Sequence, residues 1–148
     1  MNPRNAKPKD LAAIQDLLAA NELPWSDCTE HLGNFVVIEK ATKGKTQLCA
    51  VGGMEVHGNI GLIRSICVQA ECRDRGLGKV VYKSLEDRAG QLGLNALFLI
   101  TTTAETYFER LGYHIQDRSS LPDPICKTRQ FSELCPTSAI VMKRDLNS

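Results

Sequence analysis

The stretch Arg73-Asp74-Arg75-Gly76-Leu77-Gly78 decides the fold, because it joins two regions of different periodicity. The apolar run from Leu62 to Val68 predicts a strand, and apolar residues at three- and four-residue spacing from Gly76 to Leu92 predict a helix. In such a loop, glycines let a ligand approach the backbone, and the helix N-terminus offers N–H groups and a partial positive charge. Arg73 and Arg75 add cations that suit phosphate oxygens. The stretch therefore predicts a pyrophosphate loop.

Two other kinds of pyrophosphate loop do not fit these residues. The spacing of the glycines is wrong for a Rossmann fingerprint, and the Gly-Lys-Ser/Thr ending of a Walker A loop is absent. What remains is the pattern Arg-x-x-Gly-x-Gly after an apolar strand. An ordinary strand, turn and helix with a glycine-rich turn is the alternative interpretation.

The Arg-x-x-Gly-x-Gly pattern resembles the acetyl-CoA loop of the GNAT (GCN5-related N-acetyltransferase) superfamily. The resemblance extends back to Val68-Gln69-Ala70-Glu71-Cys72-Arg73 and forward to Tyr107-Phe108-Glu109-Arg110-Leu111-Gly112-Tyr113, which is similar to the late helix and following strand of that family. It implies one N-acetyltransferase domain over residues 1–148, with acetyl-CoA as cosubstrate and no metal. It also implies an α/β fold, whose mixed, mostly antiparallel sheet of about six or seven strands is flanked by helices and splayed at the acetyl-CoA strand.

Composition predicts a globular protein. The chain has 148 residues, of which 43% are hydrophobic and 24% charged, and a net charge of +1 that favours neither nucleic acid nor membrane. No apolar run is long enough to span a bilayer, and the polar N-terminus lacks a signal-peptide core. We therefore expect a cytoplasmic protein, as a monomer or homodimer, and the resemblance implies a small-molecule amine as its partner.

The six cysteines have no Cys-x-x-Cys spacing, so we expect reduced thiols without a disulfide or a zinc site. Capture of a soft metalloid by thiols is the alternative. The cysteines are Cys28, Cys49, Cys67, Cys72, Cys126 and Cys135.

The order of helices and strands follows from the spacing of apolar residues and from turn residues. Asp10 is expected to cap the first helix, and residues 122–124 to form a loop before a helix that reaches Leu134. The expected strands are 35–38, 48–56, 60–68, 96–100, 113–115 and 139–142, and the other expected helices are 25–31, 76–92 and 103–111.

Residues of the loop and of the strand before it are the candidates for holding the cofactor. By resemblance, the backbone of residues 66–68 pairs with the pantetheine arm, with an N–H near Ile66 facing the acetyl oxygen; these residues are equally well read as a core strand. Asp74 replaces a frequent glycine, and its carboxylate has to point to solvent. The full set of cofactor-binding candidates is Ile66, Cys67, Val68, Arg73, Asp74, Arg75, Gly76, Leu77, Gly78, Lys79, Thr101 and Phe108.

The leaving thiolate has to be protonated by a side chain, by water or by the departing ammonium proton. Family members often carry a tyrosine at the position that Phe108 occupies here. Tyr107 precedes it by one residue, so its direction on a helix differs by about 100°. A packed or interfacial aromatic is the favoured interpretation of Tyr107. Thr101 stands where many relatives carry an asparagine near the cofactor, and N-capping explains at least one hydroxyl of the Thr101-Thr102-Thr103 run.

Glu55 is the candidate catalytic base, and Arg64 is the candidate for binding a carboxylate of the acceptor. The two residues lie on strands joined by a turn near residues 57–59, so they are expected to be neighbours across the ladder. A carboxylate beside an arginine is a weak base but a good anchor for an ammonium group, and an arginine fork can hold a carboxylate with two hydrogen bonds. A structural ion pair between Glu55 and Arg64 is the alternative.

The C-terminal region from Ile125 to Ala139 resembles the ending of ArsN-type acetyltransferases of arsenic-resistance operons. This resemblance implies N-acetylation of a small amine, with glutamate-like antibiotics that carry arsenic or phosphorus as substrates of related enzymes. Thr128, Cys135 and Ser138 are candidates for the acceptor pocket, although a hydrogen bond at a helix end is the preferred interpretation of Thr128. Two alternatives remain open: a protein or peptide N-acetyltransferase, and a non-catalytic protein that senses CoA thioesters or arsenite.

Overall fold

The computed structural model describes residues 2–23, 25–102, 104–128 and 139–146. The seven strands are β1 (Arg4–Asn5), β2 (Phe35–Thr42), β3 (Lys45–His57), β4 (Ile60–Val68), β5 (Ala96–Thr101), β6 (His114–Gln116) and β7 (Ile140–Asp145). The α-helices are α1 (Leu11–Ala20), α2 (Cys28–His31), α3 (Leu77–Gln91), α4 (Glu105–Arg110) and α5 (Asp123–Cys126). The strands form one sheet in the order β1-β2-β3-β4-β5-β7-β6. β4 and β5 pair in parallel, whereas β2 with β3 and β7 with both β5 and β6 pair antiparallel, so the expected mixed sheet is confirmed.

The chain falls into two compact units. The first contains Met1–Glu55 and Arg64–Arg88, and the second contains Val56–Ile63 and Ala89–Ser148. The single domain expected over residues 1–148 stays a prediction. Within the described part of the chain, no helix combines the length and the apolar character needed to cross a membrane.

The first unit packs α1 and strands β2 and β3 around one apolar core. The buried side chains of this core include Ile14 and Leu18 from α1, which explains the apolar spacing of that helix. Helix α3 packs closely on β3 at Gly52, where an added Cβ would overlap Val81 Cγ1 and lie 3.2 Å from Leu85 Cδ1. A glycine is therefore needed at this crossing because any side chain would displace the helix.

The second unit has a core between its strands and α5. Leu62, Phe98, Ile125 and Val141 are buried together in it. The parallel ladder of β4 and β5 runs from the Ile60–Ala96 pair to the Ile63–Leu99 pair, and β4 continues beyond it to Val68. The chain of β4 thus extends past its parallel ladder into the segment that leads to the loop.

The expected cap of α1 is wrong. Asp10 has helical backbone angles (φ −86°, ψ −12°), and its side chain makes no capping hydrogen bond to α1. Instead, Asp10 Oδ2 accepts hydrogen bonds from the Lys7 amide at 2.7 Å and from Arg4 Nη1 at 2.9 Å. A 3-10 turn over Pro8–Asp10 precedes the helix, so the carboxylate closes that turn and ties it to β1.

The region expected to be a loop around residues 122–124 is also partly helical. Helix α5 begins at Asp123, and Pro124 lies in its first turn, where the missing N–H of proline breaks no helical hydrogen bond. The predicted continuation of this helix to Leu134 falls largely on residues 129–138, which lie outside the described residues.

Candidate functional site

The loop between β4 and α3 has the geometry of an anion site. Asp74 and Gly76 both have left-handed backbones, with φ of 66° and 71°, so the chain turns sharply into the helix. The first helical hydrogen bond runs from the Val80 amide to the Gly76 carbonyl at 3.2 Å. The amides of Leu77 and the next two residues therefore precede the helical bonds and are placed to donate to an anion. The Asp74 side chain is exposed, as a carboxylate beside a phosphate has to be.

Arg73 stabilises the loop through contacts within the protein. Its Nε donates to the carbonyl of Val68 at 3.2 Å, and its Nη2 donates to Asn21 Oδ1 at 2.6 Å. These bonds tie the loop to the end of β4 and to the end of α1. The exposed side chains of Arg75 and Lys79 are then the better candidates for direct contact with phosphate oxygens.

Ser65 is a strained residue inside β4 that the sequence did not single out. Its φ is 61°, in the left-handed region that residues other than glycine seldom adopt in a strand. A left-handed residue bends a strand locally, as at a β-bulge, and this one comes directly before Ile66. Ser65 therefore lies directly before the segment expected to bind pantetheine.

The side chains of that segment pack into the protein. Cys67 is 6% exposed, belongs to the core of the first unit, and has its Sγ 3.9 Å from the Leu17 carbonyl. Burial raises the pKa of the Cys67 thiol, so it stays protonated. The core-strand interpretation of residues 66–68 therefore holds for this side chain, and pairing of their backbone with pantetheine stays a prediction.

Arg64 forms the centre of a buried charged cluster. Its Nη1 and Nη2 each donate to one oxygen of Asp27 at 2.5 Å, and Nη1 also donates to Glu55 Oε2 at 2.9 Å. Its Nε donates to Ser65 Oγ at 3.0 Å, and the guanidinium carbon lies 5.8 Å from the centre of the Phe35 ring. The expected contact between Glu55 and Arg64 is present. Asp27, from the residues before α2, is the member that was not expected.

Burial and ion pairing act in opposite directions on Asp27. Burial alone would raise the pKa of Asp27, but the hydrogen bonds and charge of Arg64 outweigh it and hold that pKa below its usual range. Because the Asp27 and Arg64 side chains are each 1% exposed, solvent screens this pair very little. The guanidinium thus donates a fork of two hydrogen bonds to Asp27, and its use for an acceptor carboxylate would require this pair to open.

His31, at the end of α2, extends the cluster toward solvent. Its Nε2 lies 3.4 Å from Glu55 Oε1 and 3.9 Å from Glu30 Oε2. The side chain of His31 is 20% exposed, compared with 2% for Glu55 and 59% for Glu30. The two oxygens of Glu55 therefore face different groups, Arg64 on one side and His31 on the other.

Asp27, His31 and Glu55 present ligand atoms within 4.8 Å of one another, a spacing that also suits a metal ion. The guanidinium of Arg64 already bridges the two carboxylates and would repel a second cation at the same place. We therefore do not assign these residues as metal ligands.

The late helix contributes aromatic residues to the second unit. The Phe108 ring meets the Tyr107 ring edge to face at 5.1 Å and the Tyr113 ring at 5.6 Å. Tyr107 is 42% exposed, in keeping with its interpretation as a packed aromatic on another surface. Thr101 Oγ1 accepts a hydrogen bond from the Ala104 amide at 3.0 Å and closes the turn before α4. Ala104 itself is the N-cap of α4, so the capping interpretation is wrong for Thr101.

Among the candidates for the acceptor pocket, only Thr128 lies in the described residues. Its hydroxyl donates to the Ile125 carbonyl at 2.8 Å and is buried, which agrees with the preferred interpretation of a helix-end hydrogen bond. Ser138 and Cys135 lie outside the described residues, so their role in an acceptor pocket stays a prediction.

The five cysteines in the described residues are free thiols. Cys49 Sγ and Cys72 Sγ approach to 2.7 Å, and both side chains are fully buried. Burial, together with the neighbouring Cys72 thiol, raises the pKa of Cys49 to about 11. Such thiols are poor nucleophiles at neutral pH.

Comparison with known proteins identifies the family. The acetyltransferase (GNAT) family model matches residues 8–113. The amino-acid acetyltransferase of Mannheimia succiniciproducens is 24% identical over 91 residues, which are 62% of this chain and 20% of that protein. The chain therefore spans about a fifth of the length of this relative.

Solved structures show the same fold. N-acetylglutamate synthase from Neisseria gonorrhoeae, in complex with coenzyme A and N-acetyl-glutamate, matches 99% of this chain and 35% of its own chain with a TM-score of 0.81 at 19% identity. Rv2747 from Mycobacterium tuberculosis, in complex with CoA and NLQ, matches 99% of both chains with a TM-score of 0.79 at 22% identity. The fold predicted from the loop and the order of elements is therefore confirmed.

Proposed function

Because this chain belongs to the acetyltransferase (GNAT) family, we propose that it transfers an acetyl group from acetyl-CoA to the nitrogen of an amine. The observation that supports this most is the loop from Val68 to Leu77, where two left-handed residues lead into the N-terminus of a 15-residue helix. The aligned amides and the exposed cations of this loop suit a pyrophosphate. Family membership makes acetyl-CoA the cosubstrate to which that pyrophosphate belongs.

The reaction needs the thioester carbonyl to be polarised and the acceptor ammonium to lose a proton. In our proposal, the backbone of residues 66–68 pairs with the pantetheine arm, and an amide near Ile66 donates to the acetyl oxygen. The left-handed φ of Ser65 supports this role, because such a residue interrupts the regular pairing of a strand next to the segment proposed to bind pantetheine. Glu55 is the proposed base. Thr101 and Phe108 remain proposed neighbours of the cofactor.

We propose that the acceptor is a small amine of the amino-acid class. Support comes from similarity to amino-acid acetyltransferases, which are longer proteins than this chain. Their activity is established for those proteins, and for this chain it is part of the proposal. Within this class, a glutamate-like compound that carries arsenic or phosphorus is the candidate implied by the resemblance of the C-terminal region. Because Asp27 holds Arg64, the cluster favours a positioning role for Arg64 over recognition of an acceptor carboxylate.

The test is a screen for release of free CoA thiol from acetyl-CoA with amino acids, glutamate analogues, polyamines and peptide N-termini. We expect release with at least one amino-acid-like amine. Release only with peptides would favour the peptide acetyltransferase. Binding of acetyl-CoA with no release for any amine would favour the non-catalytic sensor.

Two variants of the loop test the cofactor site. Gly76→Glu and Gly78→Glu should both abolish acetyl-CoA binding in calorimetry, because each places a carboxylate at the pyrophosphate. Gly76 has a φ of 71°, so a side chain there also strains the backbone, whereas an added Cβ at Gly78 would meet Val68 Cγ2 at an ordinary 3.8 Å. Unchanged affinity in Gly78→Glu, with circular dichroism showing an intact fold, would refute the site.

A further inference from the structure

We propose that His31 carries the proton of the acceptor ammonium from Glu55 to solvent, an inference that rests on the proposed acetyl transfer and its base. His31 Nε2 is 3.4 Å from Glu55 Oε1, close enough for a proton to pass after a small shift. The Glu55 side chain is 2% exposed, and that of His31 is 20% exposed. The proton that Glu55 accepts therefore needs a route outward, and His31 lies on one.

The net charge of the cluster favours binding of a proton. Among the four side chains Asp27, Glu55, Arg64 and His31, two carboxylates face one guanidinium. Without a proton on His31, the charges of these four side chains sum to one negative charge, and one added proton brings the sum to zero, which is favourable in a buried place. Asp27 holds both Nη atoms of Arg64, whereas Glu55 shares only Nη1 with it. Glu55 is therefore the carboxylate better placed to take the proton.

The histidine is suited to pass that proton on. Histidine changes its protonation within the physiological range, and its ring can accept a proton on one nitrogen while it releases one from the other. The charged groups around His31 are Glu30 on its own helix, Glu55 on β3, Asp27 before the helix and Arg64 on β4. Glu30 is 59% exposed and 3.9 Å from His31 Nε2, so a carboxylate in contact with water lies next along the route.

The step balances without any further reactant. The acceptor R–NH₃⁺ gives a proton to the Glu55 carboxylate, and the resulting amine attacks the thioester carbon. When the C–S bond breaks, the CoA thiolate takes the second nitrogen proton, which leaves N-acetyl amine and CoA thiol. One proton remains on Glu55. It passes to His31 and then to solvent, which restores both side chains.

The experiment compares His31→Ala with His114→Ala, whose exposed histidine on β6 is the matched control. We expect kcat/KM at pH 7 to fall roughly a hundredfold in His31→Ala, the low end of what proton-transfer groups contribute. The acid side of its pH profile should differ from that of the wild type, and free imidazole should restore activity in a saturable way. Acetyl-CoA affinity should be unchanged, and His114→Ala should behave like the wild type.

Two outcomes would overturn the relay. One is a loss of activity in His31→Ala that imidazole does not restore, and the other is an acid side of the pH profile that is identical to that of the wild type. If the wild type releases no CoA thiol with any amine, the proposed function fails and the relay fails with it, a result that is seen before any variant is made.

Discussion

Replacing Arg64 by methionine should destabilise the protein by about 3–5 kcal/mol at pH 7, the usual cost of removing one partner from a buried ion pair. The change leaves Asp27 and Glu55 without their shared cation, and the side chains of both are at most 2% exposed. Methionine fills much of the space that the arginine stem occupied, so the loss comes mainly from the two carboxylates. The destabilisation corresponds to a fall in Tm of roughly 6–20 °C for a chain of this size.

The pH dependence identifies the cause. In the wild type, the pKa of Asp27 is held below its usual range, so its stabilising contribution is present at neutral pH and is lost only as the pH falls below about 4. In Arg64→Met, a buried carboxylate without a cation is more stable when protonated, so its pKa in the folded state rises. A carboxylate whose pKa is raised by folding makes the folded protein less stable as the pH increases. Between pH 7 and pH 5, protonation of one buried carboxylate becomes easier by about 2.7 kcal/mol, so the loss should shrink from about 3–5 to about 0.3–2.3 kcal/mol.

The assay is urea unfolding, followed by circular dichroism, at pH 7 and pH 5. The matched control is Arg75→Met, since Arg75 is exposed and its loss should change stability by less than about 0.5 kcal/mol. A loss below about 1 kcal/mol in Arg64→Met at pH 7, or an equal loss at both pH values, would refute the buried cluster. Arg64→Lys separates positioning from substrate binding: a lower Tm with an unchanged acceptor KM supports positioning, whereas a KM raised at least tenfold at unchanged Tm would restore the acceptor role.

Three further predictions concern packing, the late helix and the thiols. Gly52→Ala should destabilise the protein by about 1–3 kcal/mol because its Cβ overlaps a side chain of α3. Gly90→Ala is the matched control: it has open space around it inside that helix and should stabilise the protein by up to about 1 kcal/mol. Equal shifts of the two variants in thermal unfolding would contradict this packing. Tyr107→Phe should keep turnover within about tenfold of the wild type, and a thousandfold loss at unchanged cofactor affinity would make Tyr107 the acid. All six cysteines should be counted as free thiols in freshly lysed, alkylated and denatured protein. The thiols of the native protein should react slowly with the alkylating reagent, because burial raises the pKa of Cys28 and Cys49 to about 11. Stoichiometric zinc would contradict this prediction.

The elements that sequence could predict are those set by local periodicity. The expected strand 60–68 and helix 76–92 agree with β4 and with α3 at Leu77–Gln91, because alternating or helical spacing of apolar residues reports directly which face is buried. β1 was missed since it is only two residues long, too short to show a period. Asp10 was misassigned because an aspartate before an apolar run looks the same in sequence whether it caps the helix or a turn ahead of it.

The strain at Ser65 had no signal in the sequence. Glycine or asparagine often marks a left-handed residue, and Gly76 of the loop has such a backbone. A serine in an apolar strand carries no such mark. Its side chain accepts a hydrogen bond from Arg64 Nε, whose guanidinium is in turn placed by Asp27, a contact over 37 positions that the sequence does not report.

The charged cluster shows how one long-range contact changes the interpretation of a residue. The Glu55–Arg64 contact could be predicted because a short turn fixes the pairing of two adjacent strands. Asp27 is 37 positions from Arg64 in the chain, and only tertiary packing brings them together. Without Asp27, the guanidinium has a free fork that suits an acceptor carboxylate; with Asp27, the fork is filled and Arg64 holds Glu55 in place. One oxygen of Glu55 then faces Arg64 and the other faces His31, so the cluster is better suited to moving a proton than to recognising the acceptor, and acceptor recognition has to come from other residues.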